Sequence, residues 1–349
     1  MIRIGLVGFG MAVRVFHAPL ISSVSGLELA AVVERNSDLA AQRYPGIVTH
    51  RSLDSLLADA SITLVVAATP NATHFDVARQ AIEAGKNVVV DKPVAVRSAE
   101  IADLIALADQ RGVHLIPFHN RRWDGEFLTV RSLLQVRVLG RLVHFESHMD
   151  RWNPGPARRA WKNDPEHGGG LLLDLGTHLV DQAVELFGLP QAVSAEIDRE
   201  RDGEGANDSF TVRLRYAGFR ATVGANMLSS PAAPRFHIRG TQGNYRKKGV
   251  DPQEPALNKI TRIPAGPWGT EPVSEWGMLH VDVNGGMVTR PLETMAGDYR
   301  RFYEGVRNAL EGRAELPVRA VEAWRVARIL EIAQLSSEQR REIACSFEP

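Results

Sequence analysis

Apolar residues follow two different rhythms along the 349 residues of this chain. In the first third, unbroken apolar runs at 2–7, 27–34, 62–68, 87–90 and 113–118 alternate with helical spacing at 72–84 and 98–111. Runs of that kind predict strands buried on both faces, and their alternation with helices predicts a parallel sheet covered on both sides. Beyond residue 120 the rhythm changes. A helix is predicted near 124–136, a strand at 141–149, a loop containing Gly and Pro at 153–170, and a helix over 171–187. Strand-like runs at 191–199, 208–216, 219–227 and 234–239 then follow one another with only turn residues between them, as in an antiparallel sheet. The stretch 250–280, rich in Pro and Gly, reads as irregular. Two helices close the chain near 298–312 and 318–335, with Pro317 suited to the first turn of the second. The expected architecture is an α/β Rossmann domain over 1–120, followed by an α+β domain with an open, mainly antiparallel sheet over 121–349. The terminal helices are candidates to pack back on the first domain.

The first strand runs into Gly8-Phe9-Gly10-Met11-Ala12-Val13. A first glycine permits the tight turn, and a second lets backbone N–H groups and a helix N-terminus approach a dinucleotide pyrophosphate. Val13 occupies the third glycine position of G-x-G-x-x-G, which puts a side chain between helix and strand. The second strand ends on Glu34, where a Rossmann unit carries its ribose-reading acid. Glu34 can accept from both adenosine ribose hydroxyls, which favours NAD, whereas Arg35 can clamp the 2′-phosphate of NADP. Because the sheet fixes the acid, NAD is the expected cofactor and NADP the alternative.

Val88-Val-Val-Asp91-Lys92-Pro93 places a lysine at the carboxyl end of a buried strand, the edge where open α/β sheets bind ligands, and Pro93 biases Lys92 toward an extended turn. Further on, Asp174, His178 and Asp181 have the spacing of one face of a helix that is otherwise apolar. Two carboxylates and an imidazole are costly there unless they face a cleft or each other. The spacing suits catalysis, and equally a hydrogen-bonded core histidine with Asp174 as its partner. An Asp and a His supply only two metal ligands, so no metal is expected. His119, Asn120 and Arg122 follow the last Rossmann strand and read either as substrate contacts or as a polar linker. Trp152, Arg159, Trp161 and Lys162 lie in the following loop, where Trp161 is a candidate face for a sugar or cyclitol.

Composition narrows the choice. The 41 basic and 41 acidic residues balance, and the paired arginines are scattered among acids, which argues against a nucleic-acid partner. A single cysteine, Cys345, cannot form an internal disulfide, and no apolar run approaches the ~20 residues of a membrane helix, so a cytoplasmic protein is expected.

Gly8-x-Gly10, Ala67-Ala-Thr69-Pro70-Asn71-Ala-Thr-His74, Asp91-Lys92-Pro93 and Gly169-Gly-x-x-x-Asp174-x-Gly-x-His178 occur in the order and approximate spacing of the glucose-fructose oxidoreductase / inositol dehydrogenase / MocA family. Phe16-His17-Ala-Pro19 and His119-Asn-Arg-Arg122-Trp-Asp124 further resemble its subgroup of scyllo-inositol dehydrogenases and related oxidoreductases. Asp91 departs from the usual Glu of that family's Glu-Lys-Pro triplet. The resemblance implies an NAD(P)-dependent enzyme in which Lys92, Asp174 and His178 serve the nicotinamide chemistry and Thr69, Pro70, Asn71 and His74 line the nicotinamide-ribose side of the cofactor. It implies a polyol, cyclitol or sugar substrate, and a dimer or tetramer docked through the open sheet of the second domain. A trans-dihydrodiol dehydrogenase is an alternative within the family, and a non-catalytic dinucleotide sensor an alternative outside enzymes.

Overall fold

The structure is a computed structural model that describes residues 1–155, 160–165, 167–203, 205–260, 262–266 and 268–347. In the first 120 residues, β1 (Ile2–Val7), α1 (Ala18–Ile21), β2 (Leu27–Val33), α2 (Leu39–Arg43), β3 (Val48–His50), α3 (Leu53–Leu57), β4 (Leu64–Ala67), α4 (His74–Glu83), β5 (Asn87–Val90), α5 (Ser98–Arg111) and β6 (Leu115–Pro117) follow in order. The remainder holds α6 (Gly125–Gln135), β7 (Leu142–His148), α7 (Thr177–Phe187), β8 (Ala192–Asp198), β9 (Ser209–Tyr216), β10 (Phe219–Asn226), β11 (Phe236–Gly240), β12 (Gly243–Lys247) and α8 (Gln253–Leu257). It ends with β13 (Gly277–Val283), β14 (Gly286–Leu292), α9 (Arg300–Leu310), α10 (Ala320–Gln339) and β15 (Ile343–Ala344). The chain folds as two units, one of 1–120, 253–266 and 298–324, and another of 121–252, 267–297 and 325–349.

In the first unit, six parallel strands among the described residues are ordered β3-β2-β1-β4-β5-β6, so the order reverses between β1 and β4. Ligands bind outside the carboxyl ends of the strands at such a reversal. The central strands are unbroken apolar runs because both faces are covered, and Leu64, Val65, Val66, Ala67, Val88, Val89 and Val90 are wholly buried. α5 starts where the Glu100 carboxylate accepts from the Arg97 N–H and stops at Gly112, whose φ of 66° is left-handed. β3, α2 and α3 fall in a stretch with no predicted element. Each is three to five residues long, too short to show a period.

In the second unit, the strands form one sheet of order β14-β13-β12-β11-β7-β10-β9-β8-β15 among the described residues. All pairings are antiparallel except β10 with β7. One face of this sheet carries Phe145, Val212, Val223, Ile238, Tyr245 and Leu279 into a core shared with Leu179, Val180, Ile329 and Leu330 of the helices. The stretch 250–280 is not wholly irregular as expected, since α8 and the start of β13 lie within it. β14 also escaped prediction because its first six residues are all exposed, which removes the alternation that marks a half-buried strand. α10 begins at Ala320, three residues beyond Pro317, so Pro317 does not open it. Instead Pro317 lies against α9, where a Cβ on Gly305 would come within 2.8 Å of its ring.

Candidate active site

The turn after β1 is built as a cradle. Gly8 has φ of 85°, a left-handed conformation that strains any side chain, and its N–H donates to the Val33 carbonyl at the end of β2. A Cβ on Gly10 would meet nothing within 4 Å, which leaves room for a ligand beside the backbone. Val13 is wholly buried, and the chain opens there into a π turn, Val13–His17, with the Ala18 N–H donating back to the Val13 carbonyl. A cleft of ≈ 780 Å³ lies along the carboxyl ends of the strands, within the usual range of ligand pockets. It gathers Gly8, Phe9, Glu34, Arg35, Thr69 and Pro70 from the predicted residues, and adds Ser37 and Asp76. The glycine turn, the open space at Gly10 and the cleft together fit a dinucleotide.

Glu34 is turned inward. One carboxylate oxygen accepts from the Ser37 hydroxyl at 2.6 Å and the other from the Ala40 N–H at 2.8 Å, in the first turn of α2. Both its oxygens therefore already hold one bond from the protein, a use that sequence could not show without first placing α2. Ser37 carried a faint signal, as part of the polar Asn36-Ser37-Asp38 cluster that precedes the helix.

Asn71 and His74 stand behind the loop that follows β4. His74 is 1% exposed, with Nδ1 2.7 Å from the Pro93 carbonyl and Nε2 2.8 Å from the Thr69 carbonyl. Carbonyls only accept, so both contacts are hydrogen bonds when the ring carries both protons. The ring thus staples the loop after β4 to the loop after β5, rather than lining the cleft. Lys92 sits in that second loop, at a cis Lys92–Pro93 bond, and its N–H donates to the Asp91 carboxylate at 2.8 Å. Burial pushes the Asp91 carboxyl up, but His17, Lys92 and His74 outweigh it and hold it below the ordinary carboxylate range.

In the second unit, the predicted helix over 171–187 is two structures. A π turn, Leu172–Gly176, contains Asp174, and α7 begins at Thr177 just before His178. The three polar side chains do not share one regular α-helical face. Asp174 accepts from Lys162 at 2.6 Å, both side chains about a third exposed. His178 is buried. Asp181 instead accepts both prongs of the Arg122 guanidinium, at 2.6 and 2.9 Å, with Glu185 3.3 Å from the same group. Arg122 thereby ties the segment after β6 to α7. Gln182 donates to the Arg121 carbonyl and accepts from the fully buried Arg235, which also pairs with Glu126 at 3.1 Å. The polar stripe of α7 is thus mostly scaffold.

The turn before Asp174 explains its glycines. Gly170 has φ of 107°, and a Cβ there would strike the Asn207 side chain. Asn207 accepts from the Leu171 N–H through its backbone and from the Leu172 N–H through its side chain, and so caps the helix. Asn207, Arg201 and Asp208 were not named from the sequence, because their meeting with Lys162 depends on loops joining distant strands. His119 and Asn120 are buried after β6. The Arg159 reading and the Trp161 side chain lie outside the described residues. Among the described residues, no cluster of three His, Cys, Asp or Glu is placed to hold a metal, and no helix is long and apolar enough to cross a membrane.

Residues 2–119 match the oxidoreductase family's NAD-binding Rossmann fold, and residues 131–345 match its C-terminal alpha/beta domain. The chain belongs to the Gfo/Idh/MocA family of oxidoreductases. It is 39% identical to the uncharacterized oxidoreductase YdgJ of Escherichia coli K12, over 97% of each chain. It is 30% identical to IolW of Bacillus subtilis, named a scyllo-inositol 2-dehydrogenase (NADP(+)), over 98% of this chain and 95% of that one. Among solved structures, the YPO2259 protein of Yersinia pestis superposes with a TM-score of 0.93 at 40% identity, covering 99% of this chain and 97% of that one. This Gfo/Idh/MocA chain is an enzyme with an NAD(P)-binding Rossmann domain of the expected class, and its second domain has the expected open, mostly antiparallel sheet.

Proposed function

We propose that this oxidoreductase transfers a hydride between NADP and a secondary alcohol or ketone of a polyol, with inositols as the first class to test. The observation that carries the reading is the cleft at the sheet reversal, walled by Gly8, Arg35 and Thr69 in a chain of a nicotinamide-dependent family. When bound, the nicotinamide supplies or accepts the hydride. Oxidising the alcohol also frees a proton from its oxygen, and an imidazole is suited to take it near neutral pH, which is the role given to His178. The Lys92 ammonium stabilises the negative charge that builds on that oxygen. Asp174 holds the substrate hydroxyl or orients His178, and Lys162 restrains it. The inositol class is supported by IolW, whose name carries that substrate.

The choice of NADP reverses the expectation from sequence. Each Glu34 oxygen already accepts one bond, from the Ser37 hydroxyl or the Ala40 N–H, which leaves fewer acceptor sites for the ribose hydroxyls on which the NAD expectation rested. Arg35 lies on the same cleft wall, and an arginine there can fork onto a 2′-phosphate. We also assign the enzyme to the cytoplasm, and to a homodimer or homotetramer docked through the open sheet face, which sedimentation tests. Absorbance at 340 nm across a panel of polyols and sugars, run with each cofactor, tests the activity and its substrate together. Arg35→Ala is expected to lower kcat/KM for NADP by about tenfold or more and to leave that for NAD nearly unchanged, the scale of one lost charge-assisted contact. A wild-type preference for NAD overturns the cofactor assignment.

A further inference from the structure

His17 closes the π turn after the glycine loop and is wholly buried. Its Nδ1 lies 2.7 Å from the hydroxyl of Tyr303, a fully buried residue of α9 that is 286 positions away in sequence. Its Nε2 lies 3.8 Å from Asp91 Oδ2 and has no hydrogen-bond partner among the described residues. The ring also lies against Phe118, with centroids 4.2 Å apart, so it has little freedom to turn away. One imidazole thus stands between a tyrosine of α9, within hydrogen-bond distance, and an aspartate just after β5 whose carboxylate accepts from the Lys92 N–H.

The chemistry fixes the direction of this chain of contacts. A carboxylate only accepts, so a favourable approach requires the proton on Nε2; in the neutral ring Nδ1 is then an acceptor, and Tyr303 must be its donor. We propose that Tyr303 and His17 are positioning residues that hold Asp91, and through Asp91 the backbone of Lys92, in the arrangement the hydride-transfer reaction uses. This rests on the role given to Lys92 under the proposed function. The charged and titratable groups around Asp91 are His17, Lys92 and His74, with Tyr303 beyond His17. Burial, with the Asp91 charge nearby, pushes the Tyr303 hydroxyl well above its ordinary value, so it remains a donor through the working range of pH.

Long-range 1H–15N spectra of histidine-labelled protein test the first half without any substrate. His17 is expected as the Nε2–H tautomer in the wild type, and a mixture of tautomers is expected in Tyr303→Phe, which removes one oxygen and leaves the core filled. An Nδ1–H ring in the wild type overturns the proposal. The second half is read in kcat with scyllo-inositol and NADP, beside NADPH affinity from its fluorescence. His17→Leu should lower kcat by about tenfold or more, since small misplacements of a reacting group cost that much, and leave NADPH affinity unchanged. The acid limb of its kcat profile should move to higher pH, because Asp91 loses a group that holds its carboxyl down. His17→Gln keeps an N–H toward Asp91 and should recover most of the loss. Lys92→Ala separates the two readings. If it is inactive while His17→Leu and Tyr303→Phe keep wild-type kcat and acid limb, the positioning role fails alone. If Lys92→Ala keeps turnover, the role of Lys92 fails and the positioning role falls with it.

Discussion

Two lysine–aspartate arrangements in this chain differ in what surrounds them. Asp91 and Lys92 adjoin in sequence just after the wholly buried Val88, Val89 and Val90 of β5, with His17, Tyr303 and His74 behind them. Lys162 and Asp174 come from a loop and a helix start, and their ion pair stands about a third exposed to solvent. The first is held by side chains that have nowhere else to go. The second is a pair of flexible side chains in contact with water, which competes for both. A buried polar chain fixes a group in place, whereas an exposed pair leaves one adjustable.

The strongest test of that contrast is turnover. Lys92→Ala and His178→Ala are each expected to lower kcat by about 100-fold or more, with cofactor affinity little changed, as for loss of a positioned charge or base. Asp174→Asn combined with His178→Ala should be scarcely worse than the poorer single variant if the two act as a unit. Multiplying losses in that double variant would show that they act separately.

Stability gives a smaller but cleaner comparison. Asp91→Asn takes the carboxylate from beside His17 in a buried setting and should cost about 1–3 kcal/mol in chemical denaturation. Lys162→Met should cost less than about 1 kcal/mol, because the exposed pair gains little in water. Equal costs would erase the distinction. The smallest effect is in acid. The folded-state Asp91 carboxyl lies below its ordinary value, so its contribution is complete above the ordinary carboxylate range and is lost as pH falls through the folded value. Asp91→Asn should therefore flatten the acid limb of the stability curve, and an unchanged limb would show that other carboxylates set it.

The same division governs what sequence could reveal. Strands such as Val88-Val89-Val90 were legible because burial on both faces writes an unbroken apolar run, and Gly8 because its left-handed turn admits little else. The π turn at Leu172–Gly176 was not, since Leu171-Leu172-Leu173 satisfies an α-helical and a π-helical count alike. Nor was the fate of Arg122, whose partner Asp181 lies 59 positions away, or the engagement of Glu34 by a helix too short to predict. Sequence was legible where local backbone geometry dictated the residue type. It said least where a side chain had to choose between a ligand and a distant neighbour.

Both motif-bearing helices carry a five-residue π turn near their start, Val13–His17 after the glycine loop and Leu172–Gly176 before His178. Such a turn spends one residue more than an α-helix closing its i to i+4 bond, so everything after it is counted one place, or about 100° of rotation, out of step. Deleting a single residue within 172–176 would give back a regular helix and leave His178 facing the same way, because the π turn already absorbs the extra residue. A one-residue change of length in this segment is taken up in the turn and is not passed on to His178.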